Sequence, residues 1–151
     1  MTVQTIEFIL TVPSIEETQE WYRRVLGWQT DTDIFDQQGV CLFGSVIGNP
    51  DGFKGFNLNR WTGDAARYNA AENHLTALIY VDNVDALYER VVAAGHQPDS
   101  APENQFWGAR TFLLHDLNGF ALNFAQKIED ISYGKVQERY EKSIEEKADF
   151  A

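Results

Sequence analysis

Glu7 is the side chain whose setting most suits chemistry. It stands on a run of β-branched and aromatic residues, Thr5 to Val12, that reads as a strand. Side chains of a strand alternate between faces, so Phe8, Leu10 and Val12 share one face and Glu7, Ile9 and Thr11 the other. The apolar set belongs inside; a one-residue slip would bury an unpaired carboxylate there. Desolvation raises a carboxyl pKa, so a sheltered Glu7 suits a general base or the counter-charge of a bound cation. Three histidines offer imidazole. His74 begins a strand and reads as a rim residue or a metal donor. His96 follows a helix-ending glycine and reads as exposed; His115 precedes a turn and reads as structural. Cys41, in the apolar run Val40-Cys41-Leu42-Phe43, reads as a small buried hydrophobe. The sequence contains no Gly-x-Ser-x-Gly elbow, no phosphate-binding glycine loop and no Cys-x-x-Cys pair.

The elements that must position these groups come in two similar sets. After the first strand, Ser14 opens a helix with Glu17 three residues on, the spacing of a capping box. The helix runs to Leu26, with Ile15, Trp21 or Tyr22, Val25 and Leu26 as its apolar stripe, and Gly27 suits the left-handed residue after it. Strands are predicted over Trp28–Asp36, Gly39–Ile47 and Gly55–Trp61. The polar stretch Thr62–Asn73 reads as a connection with at most one helical turn. Then the pattern restarts. His74–Val81 is a strand, Asp82 or Asn83 caps a helix ending near Ala94, and Gly95 closes it. Strands Arg110–His115 and Phe120–Ala125 follow, joined by the turn Asp116-Leu117-Asn118-Gly119, with a short strand expected near Gln97. Val12 matches Val81, Gly27 matches Gly95, and Phe56-Asn57-Leu58 matches Leu122-Asn123-Phe124, a repeat of about 66–69 residues. The predicted fold is α+β: two βαβββ units forming a curved, cup-shaped mixed sheet with helices on the convex side. Residues 1–62 form the first unit, 63–128 the second, and 129–151 a charged C-terminal helix. Its stripe of Val136, Tyr140 and Ile144 either docks on its own domain or meets a second subunit.

Composition narrows the function classes. Twelve Lys and Arg against 23 Asp and Glu give a net charge of −11. Such a surface is a poor partner for nucleic acid, which needs a basic patch, and for an anionic membrane. It favours a neutral or cationic ligand. One cysteine makes no internal disulfide, and no stretch reaches eighteen apolar residues, so a cytoplasmic, non-membrane protein is expected.

Three segments resemble the glyoxalase, bleomycin-resistance and extradiol-dioxygenase superfamily of vicinal oxygen chelate proteins. The first is Phe8-Ile9-Leu10-Thr11-Val12-Pro13-Ser14-Ile15 with Trp21-Tyr22-Arg23-Arg24-Val25-Leu26-Gly27-Trp28. The second is Ile79-Tyr80-Val81-Asp82-Asn83-Val84-Asp85, closing at Ala94-Gly95. The third is Phe106-Trp107-Gly108-Ala109-Arg110 with Asp116-Leu117-Asn118-Gly119-Phe120, where Leu117 replaces the usual proline. The resemblance spans roughly residues 5 to 126.

The resemblance implies an open cup with metal ligands on its concave strands. Carried over residue by residue, the ligand places fall on Glu7, Thr76 and Asn123, and the repeat adds Asn57. One carboxylate, a hydroxyl and two amides make a poor divalent site. His74, two residues before Thr76, is a weak second donor beside Glu7. The expectation is therefore a metal-free protein that binds or sequesters a small amphipathic or aromatic molecule, cationic by the charge balance, as in bleomycin-resistance-type proteins. Glu7, Asn57, Thr76 and Asn123 would sit centrally. Tyr80, Trp61, Phe106 and Trp107 would form walls, and Arg110 would lie beside the cup. No cofactor is expected. The alternative is a glyoxalase-type lyase, isomerase or dioxygenase with Zn, Ni, Fe or Mn held by Glu7, His74 and a third group. A homodimer is expected, because an open cup leaves strand edges and an apolar rim uncovered.

Overall fold

A computed structural model of the chain describes residues 1–49, 51, 54–69, 72 and 75–149. The first unit contains β1 (Ile9–Val12), α1 (Ile15–Trp21), β2 (Gln29–Phe35), β3 (Cys41–Asn49) and β4 (Lys54–Arg60). The second contains β5 (Thr76–Tyr80), α2 (Val84–Ala93), β6 (Glu103–Asn104), β7 (Ala109–His115) and β8 (Ala121–Lys127), and α3 (Tyr133–Asp149) follows. The strand orders are β1-β4-β3-β2 and β5-β8-β7-β6, so each unit makes its own four-stranded sheet. In both, the first strand pairs parallel with the last, and the other pairs are antiparallel. This is the predicted pair of βαβββ units.

Caps fix the helices. The Ser14 hydroxyl accepts from the Glu17 N–H at 3.2 Å, and the Asn83 side chain accepts from the Ala86 N–H at 3.0 Å. α1 widens into a π-helical turn over Tyr22–Leu26 and ends at Gly27, whose φ of 73° is left-handed. The wider turn lets adjacent Trp21 and Tyr22 both enter the core, where the sequence reading allowed for one.

One core serves both units. Leu10, Val12, Tyr22, Val25 and Leu58 of the first cluster with Val84, Val91, Phe112, Leu122 and Phe124 of the second. Polar links cross the same boundary. Arg90 Nε donates to the Val25 carbonyl at 3.1 Å, and the Asn118 amide donates to Thr18 Oγ1 at 2.9 Å.

Two expectations change. β1 begins at Ile9, not Thr5, and Phe8 is 48% exposed, so the interior set of this strand is Leu10 and Val12 alone. The short strand lies at Glu103–Asn104, not at Gln97. Pro98 and Pro102 lack an N–H, and the Ser100 hydroxyl instead accepts from the Leu113 N–H at 2.9 Å. Among the described residues, no helix is long and apolar enough to cross a membrane.

Candidate functional site

Strand register decides which predicted residues meet. Asn57 lies between buried Phe56 and Leu58, so its side chain takes the face away from α1. There its amide donates to Glu7 Oε2 at 2.9 Å. Glu7 is exposed, in contrast to the sheltered carboxylate expected; it precedes β1, whose last bond to β4 on this side is the Asn57 N–H to the Phe8 carbonyl at 3.0 Å. Thr76 and Asn123 lie on the second sheet. Thr76, Leu78 and Tyr80 share a face with their partners Ala121, Asn123 and Ala125, opposite buried Leu122 and Phe124. The four family positions therefore form two pairs on separate sheets.

The remaining wall residues scatter. Arg110 faces the other way from the expected cup. It is paired with Gln126 in the ladder, on the α2 side. Its guanidinium donates to Asp85 in the first turn of α2 at 2.9–3.1 Å and to Asn104 at 3.1 Å. The Arg110 hydrogen bonds hold the Asp85 carboxyl below its ordinary value. Trp107 sits in the loop before β7, edge-on to Phe106, whose ring lies 5.3 Å from Tyr140 of α3. Phe106 thus packs on the tail helix, and neither aromatic lines the cavities below. The link between Arg139 and Glu129 at 2.7–2.9 Å holds the same helix. Trp61 donates to the Asp64 carbonyl at 3.1 Å and meets Tyr68 edge-on. It lines a cavity of about 560 Å³ with Ile9, Thr11, Arg67 and Phe120. His74 falls outside the described residues.

The larger cavity, about 910 Å³, lies between the two units. One wall is the whole of β5 with its flanks, Leu75 through Asp82. The opposite wall is Phe8, Trp28, Gly48, Asn49, Lys54, Gly55 and Phe56. Trp28 forms its aromatic floor. The indole stacks on Phe56 with centroids 5.9 Å apart and 27° between planes. Gly48 makes room for it, since a Cβ there would fall 2.8 Å from the indole ring. Tyr80, 60% exposed, and Leu78, 52% exposed, present apolar surface opposite. Lys54 and Asp82 bring one charge of each sign. Thr76 and Tyr80 were foreseen as site residues; Phe8, Trp28, Phe56 and Leu78 were not. The available signal was Trp28 directly behind a helix-ending glycine, an aromatic with no place in the predicted helix stripe.

The buried pair Tyr22 and Asp116 lies at the junction of the units, outside the larger cavity. The Tyr22 hydroxyl donates to Asp116 Oδ2 at 2.8 Å, and Oδ1 accepts from the N–H groups of Asn118 and Phe120 at 2.8 and 3.0 Å. Burial raises the Asp116 carboxyl, against the lowering effect of these donors. Burial and the neighbouring Asp116 also raise Tyr22, and push Tyr68 up to about 12. Burial raises the Cys41 thiol, in keeping with an inert core residue. His96, expected to be exposed, is half-buried edge-on to Trp21, with Nε2 3.0 Å from the His115 carbonyl.

The donor chemistry does not fit a divalent metal at the family positions. Glu7 has an amide beside it, while the hydroxyl and second amide stand on another sheet. Among the described residues, no three His, Cys, Asp or Glu side chains converge.

Residues 4–124 match the family model described as the Glyoxalase/Bleomycin resistance protein/Dioxygenase superfamily. The fold is similar to a glyoxalase-related enzyme from Clostridium phytofermentans, with TM-score 0.68 and 24% identity over 85% of this chain and 98% of that one. It is also similar to a glyoxylase/bleomycin resistance protein/dioxygenase domain from Frankia sp. EAN1pec, with TM-score 0.67 and 17% identity over 86% and 96%. TioX from Micromonospora sp. ML1 aligns with TM-score 0.63 and 20% identity over 85% and 100%. No curated protein matches the sequence.

Proposed function

Starting from the premise that the chain belongs to the Glyoxalase/Bleomycin resistance protein/Dioxygenase superfamily, we propose that it binds and sequesters a small amphipathic, aromatic molecule without a bound metal. The cavity between the units carries this reading. Its volume of about 910 Å³ lies within the range of small-molecule sites, which runs to about 1,000 Å³. Trp28, Phe56, Phe8 and Tyr80 supply aromatic area; Thr76, Asn49, Lys54 and Asp82 supply the few polar groups that fix orientation. The net charge of −11 favours a cationic guest by long-range attraction. Glu7, beside Phe8 in sequence, contributes to that field and not to contact.

Tryptophan fluorescence tests the proposal, because Trp28 is in the cavity wall. A panel of cationic phenanthridinium and neutral naphthalene compounds should include at least one that quenches emission saturably. Tyr80→Ala should weaken that compound at least tenfold while leaving the circular dichroism unchanged. Equal affinity in both proteins would refute the assignment of the cavity.

The same reading includes a homodimer and a cytoplasmic location. Ile34, Phe35 and Leu42 expose apolar surface beside the β2 edge, and Tyr140 and Ile144 expose it on α3. Light scattering at micromolar concentration should give twice the monomer mass. A monomer mass would reject the dimer.

A further inference from the structure

β5 is an edge strand, and the large cavity runs along it. The Val81 N–H donates to the Ala125 carbonyl at 2.8 Å, which sets the phase of the ladder. Ala77, Ile79 and Val81 then turn their peptide groups toward β8, because a parallel ladder uses alternate residues of each strand. The N–H and C=O groups of Thr76, Leu78 and Tyr80 turn to the outer edge. Among the described residues, no strand pairs with that edge. All three residues are exposed and all three line the cavity. The corresponding edge of β1 is treated differently. There the Tyr68 hydroxyl donates to the Thr11 carbonyl at 2.8 Å, closing part of it.

We propose that the free edge of β5 binds an extended amide backbone, a peptide or peptide-like small molecule that adds as a fifth strand in the cavity. This rests on, and deepens, the reading of the cavity as a ligand site. Three N–H and three C=O groups in a row match the repeat of an extended peptide and little else. Across the groove, Trp28 on Phe56 offers a flat apolar surface for every second side chain of the guest. A strand of five residues spans roughly 17 Å, so the guest would have about four to six residues. Amide hydrogen bonds would hold the backbone, and the aromatic wall would select its side chains.

The test uses the full chain and the probe acetyl-Val-Trp-Val-Trp-Val-amide. Two further probes carry N-methyl groups on alternate amides, one on the Val set and one on the Trp set. Both are blocked from bonding on one side only. The parent should bind, and its binding should slow hydrogen exchange at the Leu78 and Tyr80 amides. One N-methylated probe should lose at least tenfold in affinity, while the other stays within threefold of the parent. Leu78→Pro removes an outward N–H and leaves the bonds to β8 in place, a substitution an edge strand tolerates. It should abolish binding of the parent peptide and its protection of the Tyr80 amide, while the circular dichroism stays unchanged. Several results would overturn the inference: no binding of the parent peptide, equal binding of all three probes, or no protection at Leu78 and Tyr80. Any of these, with aromatic compounds still bound, would leave the cavity proposal standing. Exchange protection already present in the free protein and lost on dilution would assign the edge to a second copy instead, and would equally overturn the inference.

Discussion

Removing the Tyr22 hydroxyl should destabilise the protein in a pH-dependent way. Tyr22 is fully buried, and its hydroxyl is, among the described residues, the one side-chain donor to Asp116, 2.8 Å from Oδ2. It also joins the two units, because Tyr22 follows α1 and Asp116 opens the β7–β8 turn. In Tyr22→Phe the carboxylate keeps its bonds from Asn118 and Phe120 on Oδ1, but Oδ2 loses its partner. A hydrogen bond to a charged group contributes about 1.5–3 kcal/mol, and one between neutral groups about 1 kcal/mol. The substitution should therefore cost about 2 kcal/mol where Asp116 is ionised and about 1 kcal/mol where it is protonated.

The direction with pH follows from burial. Asp116 holds its proton more tightly in the folded protein than in the unfolded chain. Between those two values the folded state carries the extra proton, so stability falls as pH rises through the window and the loss is complete above the folded value. Tyr22→Phe removes a donor that lowers the Asp116 value, which extends the window upward and steepens the loss. Urea titrations of wild type, Tyr22→Phe and Asp116→Asn at about pH 4, near the ordinary carboxyl value, and at about pH 8 would measure this. The Tyr22→Phe penalty should be larger at the higher pH, and Asp116→Asn should flatten the pH dependence. Equal penalties at both pH values, or an Asp116→Asn protein with the wild-type slope, would refute the account. The two substitutions share one bond, so the double variant should be less destabilised than the sum of the singles.

Two further outcomes follow from the geometry. Gly27→Ala should lower stability by about 1–2 kcal/mol in the same urea assay, because its φ of 73° suits glycine and its Cβ would lie 3.0 Å from the Arg90 guanidinium. Glu7→Gln should weaken a cationic guest less than threefold, since Glu7 is exposed and lines neither cavity; a tenfold loss by fluorescence titration would place it in direct contact.

Much of the fold was legible because local rules and tertiary packing agree. Ser14 and Asn83 announce helix starts through side chains that satisfy free N–H groups, and both do so in the structure. Gly27 and Gly95 mark positive-φ helix ends in corresponding places of the two units, and Gly119 a positive-φ turn between β7 and β8. The turn Asp116–Gly119 was equally clear, since an aspartate bonding the backbone two and four residues on is a local device. The start of β1 was not. Thr5, Ile6, Glu7 and Phe8 have strand composition, but β1 hydrogen-bonds only to β4, and its register with Asn57–Arg60 ends at Ile9. The Phe8 carbonyl still accepts from the Asn57 N–H at 3.0 Å and β4 continues back to Lys54, but the chain before Phe8 does not follow it; strand composition alone does not carry the pairing further.

The candidate site was harder to read for a related reason. Alternation assigns a residue to a face of its own sheet, and it placed Asn57, Thr76, Tyr80 and Asn123 correctly in that sense. It does not say whether two sheets turn those faces to a common space. Arg110 shows a second limit. It precedes Phe112 by two, and strict alternation puts both on the α2 side, where Asp85 in the first helical turn provides a carboxylate. The loop motif leading into it drew attention to the cup instead. The large cavity lay outside both arguments. It forms where the edge of one sheet passes the end of the other, so consecutive β5 residues from both faces line it together with Trp28, Gly48 and Phe56. A period-2 reading divides those β5 residues into opposite sets, and only the placement of a strand edge against a neighbouring unit reunites them. That same placement leaves the Thr76, Leu78 and Tyr80 peptide groups facing the groove, so the edge position of β5 links the fold to the chemistry of its ligand.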